Sequence, residues 1–168
     1  AGADQIFPDA WERYLSVIPQ AERGDLVAAY YRRLTGSAAA ARTAAAREWS
    51  LWEGTTLSLL PNPVREAAFA ADHFAAAMAA IECHYFLHGG FFDSDGWIIA
   101  NARNLKDIPA VIIQGRYDVC TPARTAWDLH RVWPEARLVM VDDAGHTGTE
   151  AGIADAMAGK VARVSATT

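Results

Sequence analysis

Two short apolar runs late in the chain define its architecture. Ala110 to Ile113 is continuous and β-branched, follows Pro109, and is ended by Gly115. Leu138 to Val141 is a second such run, broken by the turn Asp142-Asp-Ala-Gly-His146. Each reads as a buried strand. Between them, Thr121 to Val132 has helical character, with Thr121 as the N-cap candidate and Pro122 at the first helical position. Strand, helix and strand in so few residues predict a βαβ unit with parallel strands and a right-handed crossover. Parallel neighbours run about 4.8 Å apart and end on one edge of the sheet. The loops carrying Asp118 and His146 are therefore expected side by side at the carboxyl edge, where open α/β sheets place their chemistry.

Upstream, the pattern is helical. Phe7 to Val17 begins with Pro and Asp and then spaces aromatics along one face. Asp25 to Leu34 predicts a second helix with Gly36 as its stop, and Ser37 to Glu53 an Ala-rich third, capped by Ser37. The prolines of Thr55 to Pro63 predict a loop, because a helix does not run through them. Val64 to His88 reads as one long helix ending at Gly89-Gly90, Trp97 to Leu105 as a short one, and Gly148 to Val164 as the last. No internal repeat is visible. A pair of parallel strands is not stable by itself and needs neighbours and cover on both faces. The sheet is thus expected to be incomplete, and the chain to be the carboxyl-terminal part of a larger α/β protein.

Composition narrows the classes. A length of 168 residues with 52% hydrophobic positions suits a globular core, and a formal net charge of −5 without long runs disfavours nucleic acid and anionic membranes as partners. No apolar stretch approaches the roughly 20 residues of a membrane span. Two cysteines, Cys83 and Cys120, make no disulfide framework, so a reducing cytoplasm is the expected location. The chain opens at Ala1 with neither an initiator Met nor a signal peptide, which fits a processed or truncated product.

Asp118 and His146 are the last two members of a Ser…Asp…His order. No G-x-S-x-G accompanies them: Ser16, Ser37, Ser50, Ser58, Ser94 and Ser165 all fall outside that frame. The orienting acid and the base are expected here and their nucleophile elsewhere; the competing reading is a polar loop with turn chemistry. Glu82 lies four residues from Met78 and eight from Phe74, a carboxylate on an otherwise apolar helical stripe continued by Tyr85 and Phe86. Glu53 follows Trp49 by four and adjoins Trp52. Two such carboxylates hold a substrate ammonium or form salt bridges with Arg47, Arg65 or Arg103; spacing leaves both open. His73, His84, His88 and His130 read as packing or surface residues, and Cys120 borders the Asp118 loop. With neither H-E-x-x-H nor C-x-x-C, no metal is expected.

The wording of five motifs adds to their spacing. Trp49 to Gly54 (W-S-L-W-E-G), Ile81 to Phe92 (I-E-C-H-Y-F-L-H-G-G-F-F), Ile108 to Asp118 (I-P-A-V-I-I-Q-G-R-Y-D), Ala126 to Ala136 (A-W-D-L-H-R-V-W-P-E-A) and Asp143 to His146 (D-A-G-H) occur in this order. Together they resemble the prolyl aminopeptidases, or proline iminopeptidases, which are serine peptidases of α/β-hydrolase fold. The resemblance runs from Phe7 over nearly the whole chain. It implies an α/β fold: residues 1–105 as most of a helical cap domain, and 106–168 as the carboxyl-terminal part of the hydrolase core. It implies catalytic roles for Asp118 and His146 and binding of the substrate's free α-amino group by Glu53 and Glu82. It also implies a peptide substrate with N-terminal proline, no cofactor, and a missing amino-terminal half that brings the serine and oxyanion hole. Thr147 departs from the family, which often has Ser after the His. An esterase-like hydrolase and a non-catalytic fragment folded only in an assembly are the alternatives.

Overall fold

The structure, a computed structural model, describes residues 2–159. It divides into two compact units, one holding the chain up to Thr56 together with Pro61–Asp93, the other Leu57–Leu60 together with the chain from Ser94 onward. This division differs from the boundary at residue 105 read from the motifs, because Leu57–Leu60 hydrogen-bond to residues 146–150 and Ala102 and Leu105 pack with Ile112, Trp133 and Ala136.

The first unit is helical: α1 (Pro8–Ser16), α2 (Leu26–Leu34), α3 (Ala39–Thr56), α4 (Pro63–Phe69) and α5 (Asp72–Leu87). Its starts follow the local chemistry. Pro8 and Pro63 occupy first-turn positions where a missing N–H costs nothing. The Asp25 and Asn62 side chains accept from the Ala28 and Arg65 amides, each at 3.0 Å. The core is aromatic. Tyr14 and Tyr30 stack at 4.5 Å, and Trp49 meets Tyr30 edge-on at 5.1 Å. Such pairs add about 0.5–1.5 kcal/mol beyond burial. The phenol of Tyr30, fully buried, donates to the Tyr14 carbonyl at 2.6 Å.

Two expectations are corrected here. The long helix of Val64 to His88 is two helices, broken where Ala71 turns extended (φ −66°, ψ 126°). Ser50 donates to the Phe69 carbonyl at 2.7 Å, and Phe69 lies so close to Gly54 that a Cβ there would come within 2.9 Å of its ring. Pinning Phe69 to α3 makes the chain turn before α5 starts. Nor is the Phe74–Met78 stripe the buried side of α5: Ala75, Ala79 and Cys83 are, while Phe74, Tyr85 and Phe86 stay exposed. Small side chains let α5 close against α3 and α2, which size rather than hydropathy dictates.

The second unit contains α6 (Trp97–Asn101), a 3-10 turn (Ala102–Leu105), β1 (Val111–Gly115), α7 (Ala123–Val132), β2 (Arg137–Val141) and α8 (Ala151–Met157). The strands are parallel, in register from Val111 opposite Arg137 to Gly115 opposite Val141. Alternation splits their side chains. Ile113, Val139 and Val141 pack with Ile153 and Ala156 of α8, and Ile112 packs with Leu129 of α7, Trp133 and Ala136. Among the described residues each strand has a single partner. Ile98, Ile108, Val111 and Trp127 remain exposed.

Two further boundaries change. Pro122, not Thr121, is the N-cap residue of α7, and no side chain caps it. The last helix begins at Ala151 because Gly148 to Glu150 form a turn, and the expectation for its continuation to Val164 lies outside the described residues. None of the described helices is long and apolar enough to cross a membrane.

The tightest constraint is at Gly115, where any Cβ would strike the Gly145 carbonyl. Gly115→Ala should therefore cost about 1–3 kcal/mol, the usual cost of overpacking, read as a lower denaturant midpoint with an unchanged slope. A midpoint equal to that of the unsubstituted chain would contradict the close approach of these loops.

Candidate active site

Because β1 and β2 end in register, the loops that follow them are tied together. Arg116 N donates to the Val141 carbonyl at 2.8 Å and Tyr117 N to the Ala144 carbonyl at 3.0 Å. Asp118 and His146 meet as the strand pairing predicts, with Nδ1 of His146 2.9 Å from Oδ2 of Asp118. A carboxylate only accepts, so Nδ1 carries the hydrogen and Nε2 keeps its lone pair.

Asp118 is buried and surrounded by donors. Its Oδ1 accepts from the backbone amides of Cys120 at 2.9 Å and Thr121 at 2.8 Å, a local turn closed by an Asp side chain. Its Oδ2 accepts from Gln114 Nε2 at 3.1 Å, the Thr121 hydroxyl at 2.9 Å and His146. Burial pushes the Asp118 carboxyl up, but the bonds from the Thr121 backbone, His146 and the Thr121 hydroxyl outweigh it and hold the group below its ordinary value. The acid is thus charged and fixed in orientation. Thr121, read from sequence as a helix cap, serves this carboxylate instead, and its Oγ1 lies 3.2 Å from His146 Nδ1.

The His146 loop is held from its other side as well. The His146 and Thr147 amides both donate to the Leu57 carbonyl at 2.9 Å. The Glu150 carboxylate takes the Gly145 amide at 2.9 Å with one oxygen and the Leu59 amide at 3.0 Å with the other. A Cβ on Gly145 would come within 2.7 Å of Leu59 N, so only glycine fits there.

Asp118, Cys120 and His146 offer a carboxylate oxygen, a sulfur and a ring nitrogen within 4.8 Å of one another, a donor set a soft divalent cation accepts. Occupying it would break the Nδ1–Oδ2 bond and compete with the other donors already on Asp118. The arrangement suits proton transfer better. His130 plays a packing role, its Nδ1 2.9 Å from the Ala136 carbonyl. His84, His88 and Phe91 group in the helical unit, with the two imidazole centroids 4.4 Å apart.

In that unit Glu53 and Glu82 face a shared, largely apolar setting. Burial, and then the charge of Glu82, raise the Glu53 carboxyl to about 7. Glu82 Oε2 accepts from the Trp49 indole N–H at 2.7 Å. Of the arginines considered as partners, Arg103 pairs with Glu135 at 3.6 Å. Gln114, Thr121, Glu150 and Trp49 were not read from the sequence as site residues. Only Thr121 left a signal, at three residues after an Asp; Trp49 and Glu82 meet across 33 positions.

The raised Glu53 group has a consequence for stability. A carboxyl whose folded value exceeds its unfolded one binds more protons when folded, so its contribution is full below about 4.5 and is lost as pH rises through about 7. Glu53→Gln should leave stability nearly unchanged near pH 4 and raise it at pH 8 by as much as about 3 kcal/mol. Denaturant midpoints at the two pH values check this; an equal change at both would contradict the burial of a charge.

Comparison with known proteins places this geometry in a lineage. Over 156 residues, 93% of the chain, it is 53% identical to a probable proline iminopeptidase of Leptolyngbya boryana, covering 49% of that protein. It is 49% identical to the proline iminopeptidase of Xylella fastidiosa over the same share of the chain, covering 50% of the relative. The proline iminopeptidase of Arabidopsis thaliana is 48% identical over 90% of the chain and 40% of its own length. The chain spans about half the length of the curated relatives it matches. Residues 2–150 also match the alpha/beta hydrolase fold family, nearly the entire described chain and both ends of the Asp118–His146 pair. On that match, with parallel strands delivering an acid and an imidazole to one edge, the chain belongs to the α/β-hydrolase fold family.

Proposed function

We propose that this chain is the carboxyl-terminal part of a prolyl aminopeptidase, which releases proline from the amino end of peptides. The observation that carries the proposal is the 2.9 Å bond between His146 Nδ1 and a buried, charged Asp118, within a stretch homologous to proline iminopeptidases. The serine and the oxyanion hole come from an amino-terminal half, whose strands pair with the free edge of β1. The helical unit serves as the cap, and the second unit completes the hydrolase core. Both cysteines are free thiols, in keeping with a cytoplasmic setting.

In the assembled enzyme His146 Nε2 takes the proton of the serine hydroxyl as the oxygen attacks the carbonyl of the N-terminal proline. The imidazolium then donates that proton to the leaving amine, and an acyl-enzyme remains. Water, deprotonated by the same nitrogen, releases proline and restores the serine. Asp118 stays ionised throughout; it fixes the tautomer and stabilises the imidazolium charge. Glu53 and Glu82 bind the substrate's ammonium. An internal peptide bond has no such charge beside it, which confines cleavage to the first residue.

Two assays on the chain combined with its amino-terminal half test this. Proline arylamide should be hydrolysed and its N-acetyl derivative should lose ~100-fold or more in kcat/KM, since charged hydrogen bonds to the amine disappear. Equal turnover of both would turn the assignment to an esterase-like hydrolase. For proline arylamide KM should rise as pH falls below about 7, because Glu53 must then give up a proton to receive the ammonium. A KM flat from pH 5.5 to 7.5 would remove Glu53 from the amine site.

A further inference from the structure

Two histidines of the helical unit stand outside everything the hydrolytic site uses. His84 lies in the last turn of α5 and His88 is its C-cap residue, four positions on, so the two share one face of the helix. Their ring centroids are 4.4 Å apart. His88 is exposed and His84 half-buried, so neither ring is needed to fill a core. Glu82 sits two positions before His84, about 200° around the helix, so the pair faces away from the carboxylates read as the amine site.

Both rings are held in place. His88 Nδ1 lies 2.8 Å from the His84 carbonyl, and a carbonyl only accepts, so Nδ1 carries the hydrogen and Nε2 keeps a lone pair. An imidazole anchored through Nδ1–H to a backbone carbonyl is the arrangement of a metal ligand, since that bond fixes the tautomer and raises the basicity of the other nitrogen. Phe91 stacks on the His88 ring at 5.2 Å with 9° between the planes, a contact made through the ring face and not through its nitrogens. It does so from a left-handed backbone, φ 62°, which no other non-glycine shows among the described residues. Tyr31 of α2 lies 6.1 Å from the His84 ring and 6.5 Å from that of His88. The negative end of the α5 dipole adds attraction for a cation at this turn.

The separation of the rings also selects a geometry. An ion about 2.0–2.1 Å from an imidazole nitrogen lies about 3.2 Å from that ring's centroid. Two centroids 4.4 Å apart therefore subtend about 90° at a shared ion, the cis angle of square-planar, tetragonal or octahedral sites. A tetrahedral ion would spread them to about 5.2 Å. We propose that His84 and His88 form a bidentate site at the end of α5 for a divalent cation of tetragonal preference, Cu2+ ahead of Ni2+. Imidazole suits both ions, and Cu2+ stands highest in the affinity order for such ligands. Among the described residues the group of three possible metal ligands is Asp118, Cys120 and His146, in the other unit, so the positions left at the histidine pair fall to water. The site is independent of the reading of the hydrolytic centre. Bound there, the ion ties the last turn of α5 to its cap residue and so stabilises the folded helical unit.

The test titrates the 168-residue chain with Cu2+, and separately with Ni2+ and Zn2+. Cu2+ is read by electron paramagnetic resonance, and stability by the denaturant midpoint. One equivalent of Cu2+ should give an axial spectrum with coupling to two nitrogens. At a free concentration 100 times Kd it should raise the folding equilibrium constant about 100-fold. His84→Ala and His88→Ala should each remove the two-nitrogen coupling and weaken Cu2+ at least about tenfold, since even an outer-shell partner is worth that much. His73→Ala, at an exposed histidine in the first turn of the same helix, should change nothing. Binding that survives both alanine variants overturns the proposal, as does binding that needs Cys120 and carries an intense sulfur-to-copper absorption. Ni2+ should bind at least as tightly as Zn2+; the reverse order contradicts the cis geometry and the proposal with it. Should the alanine variants fail to fold, the unsubstituted chain decides. Substoichiometric Cu2+ must broaden the ring signals of His84 and His88 before those of His73, His130 and His146, and any other order is a contradiction.

Discussion

Everything at the sheet edge depends on two parallel strands ending in register, Gly115 opposite Val141. From that point the chains are too close for a side chain at Gly115, and the Arg116 and Tyr117 amides bond directly to carbonyls of the other loop. Backbone contact of this kind fixes where Asp118 and His146 begin before any side-chain preference operates. The acid–base pair then needs only short-range chemistry: an Asp-closed turn for Asp118, and two amides on the Leu57 carbonyl for His146. Preorganisation of the pair is thus a property of strand register, with Gln114, Thr121 and Glu150 as its fine adjustment.

The helical unit solves an opposite problem. There the proposed amine site calls for poorly solvated carboxylates, and poor solvation of a carboxylate is costly for the fold. Glu53 carries that cost, its carboxyl pushed to about 7 among aromatic helices. The aromatic core of Tyr14, Tyr30 and Trp49 offsets it with stacked and edge-on contacts and a buried phenol hydrogen bond. The Trp49 indole is shared between that core and the Glu82 carboxylate, so the packing and this hydrogen bond cannot be altered independently.

Period and punctuation made much of this legible in the sequence. Continuous β-branched runs flanking a helical segment specified the parallel pair, and with it the meeting of residues 118 and 146, because only backbone geometry is involved. The same reasoning misjudged α5, where hydropathy marks Phe74 and Phe86 while close helix packing selects Ala75, Ala79 and Cys83. It also ran Val64 to His88 together, since the break is set by Phe69 packing on Gly54, a contact far along the chain. Thr121 looked like a helix cap because Thr-Pro is a common start, yet an Asp three residues earlier competes for the same hydroxyl and wins. Partners 33 residues apart, such as Trp49 and Glu82, leave no periodic trace at all.

The central claim is that the orienting acid and the base are already assembled in this chain. The most direct measurement is the His146 ring by 1H–15N NMR in the 168-residue chain. A strongly downfield Nδ1–H, protected from exchange at neutral pH and lost in Asp118→Ala, is the result predicted by the 2.9 Å contact with a charged carboxylate. A ring with its hydrogen on Nε2, or an Nδ1–H indifferent to Asp118→Ala, would contradict it.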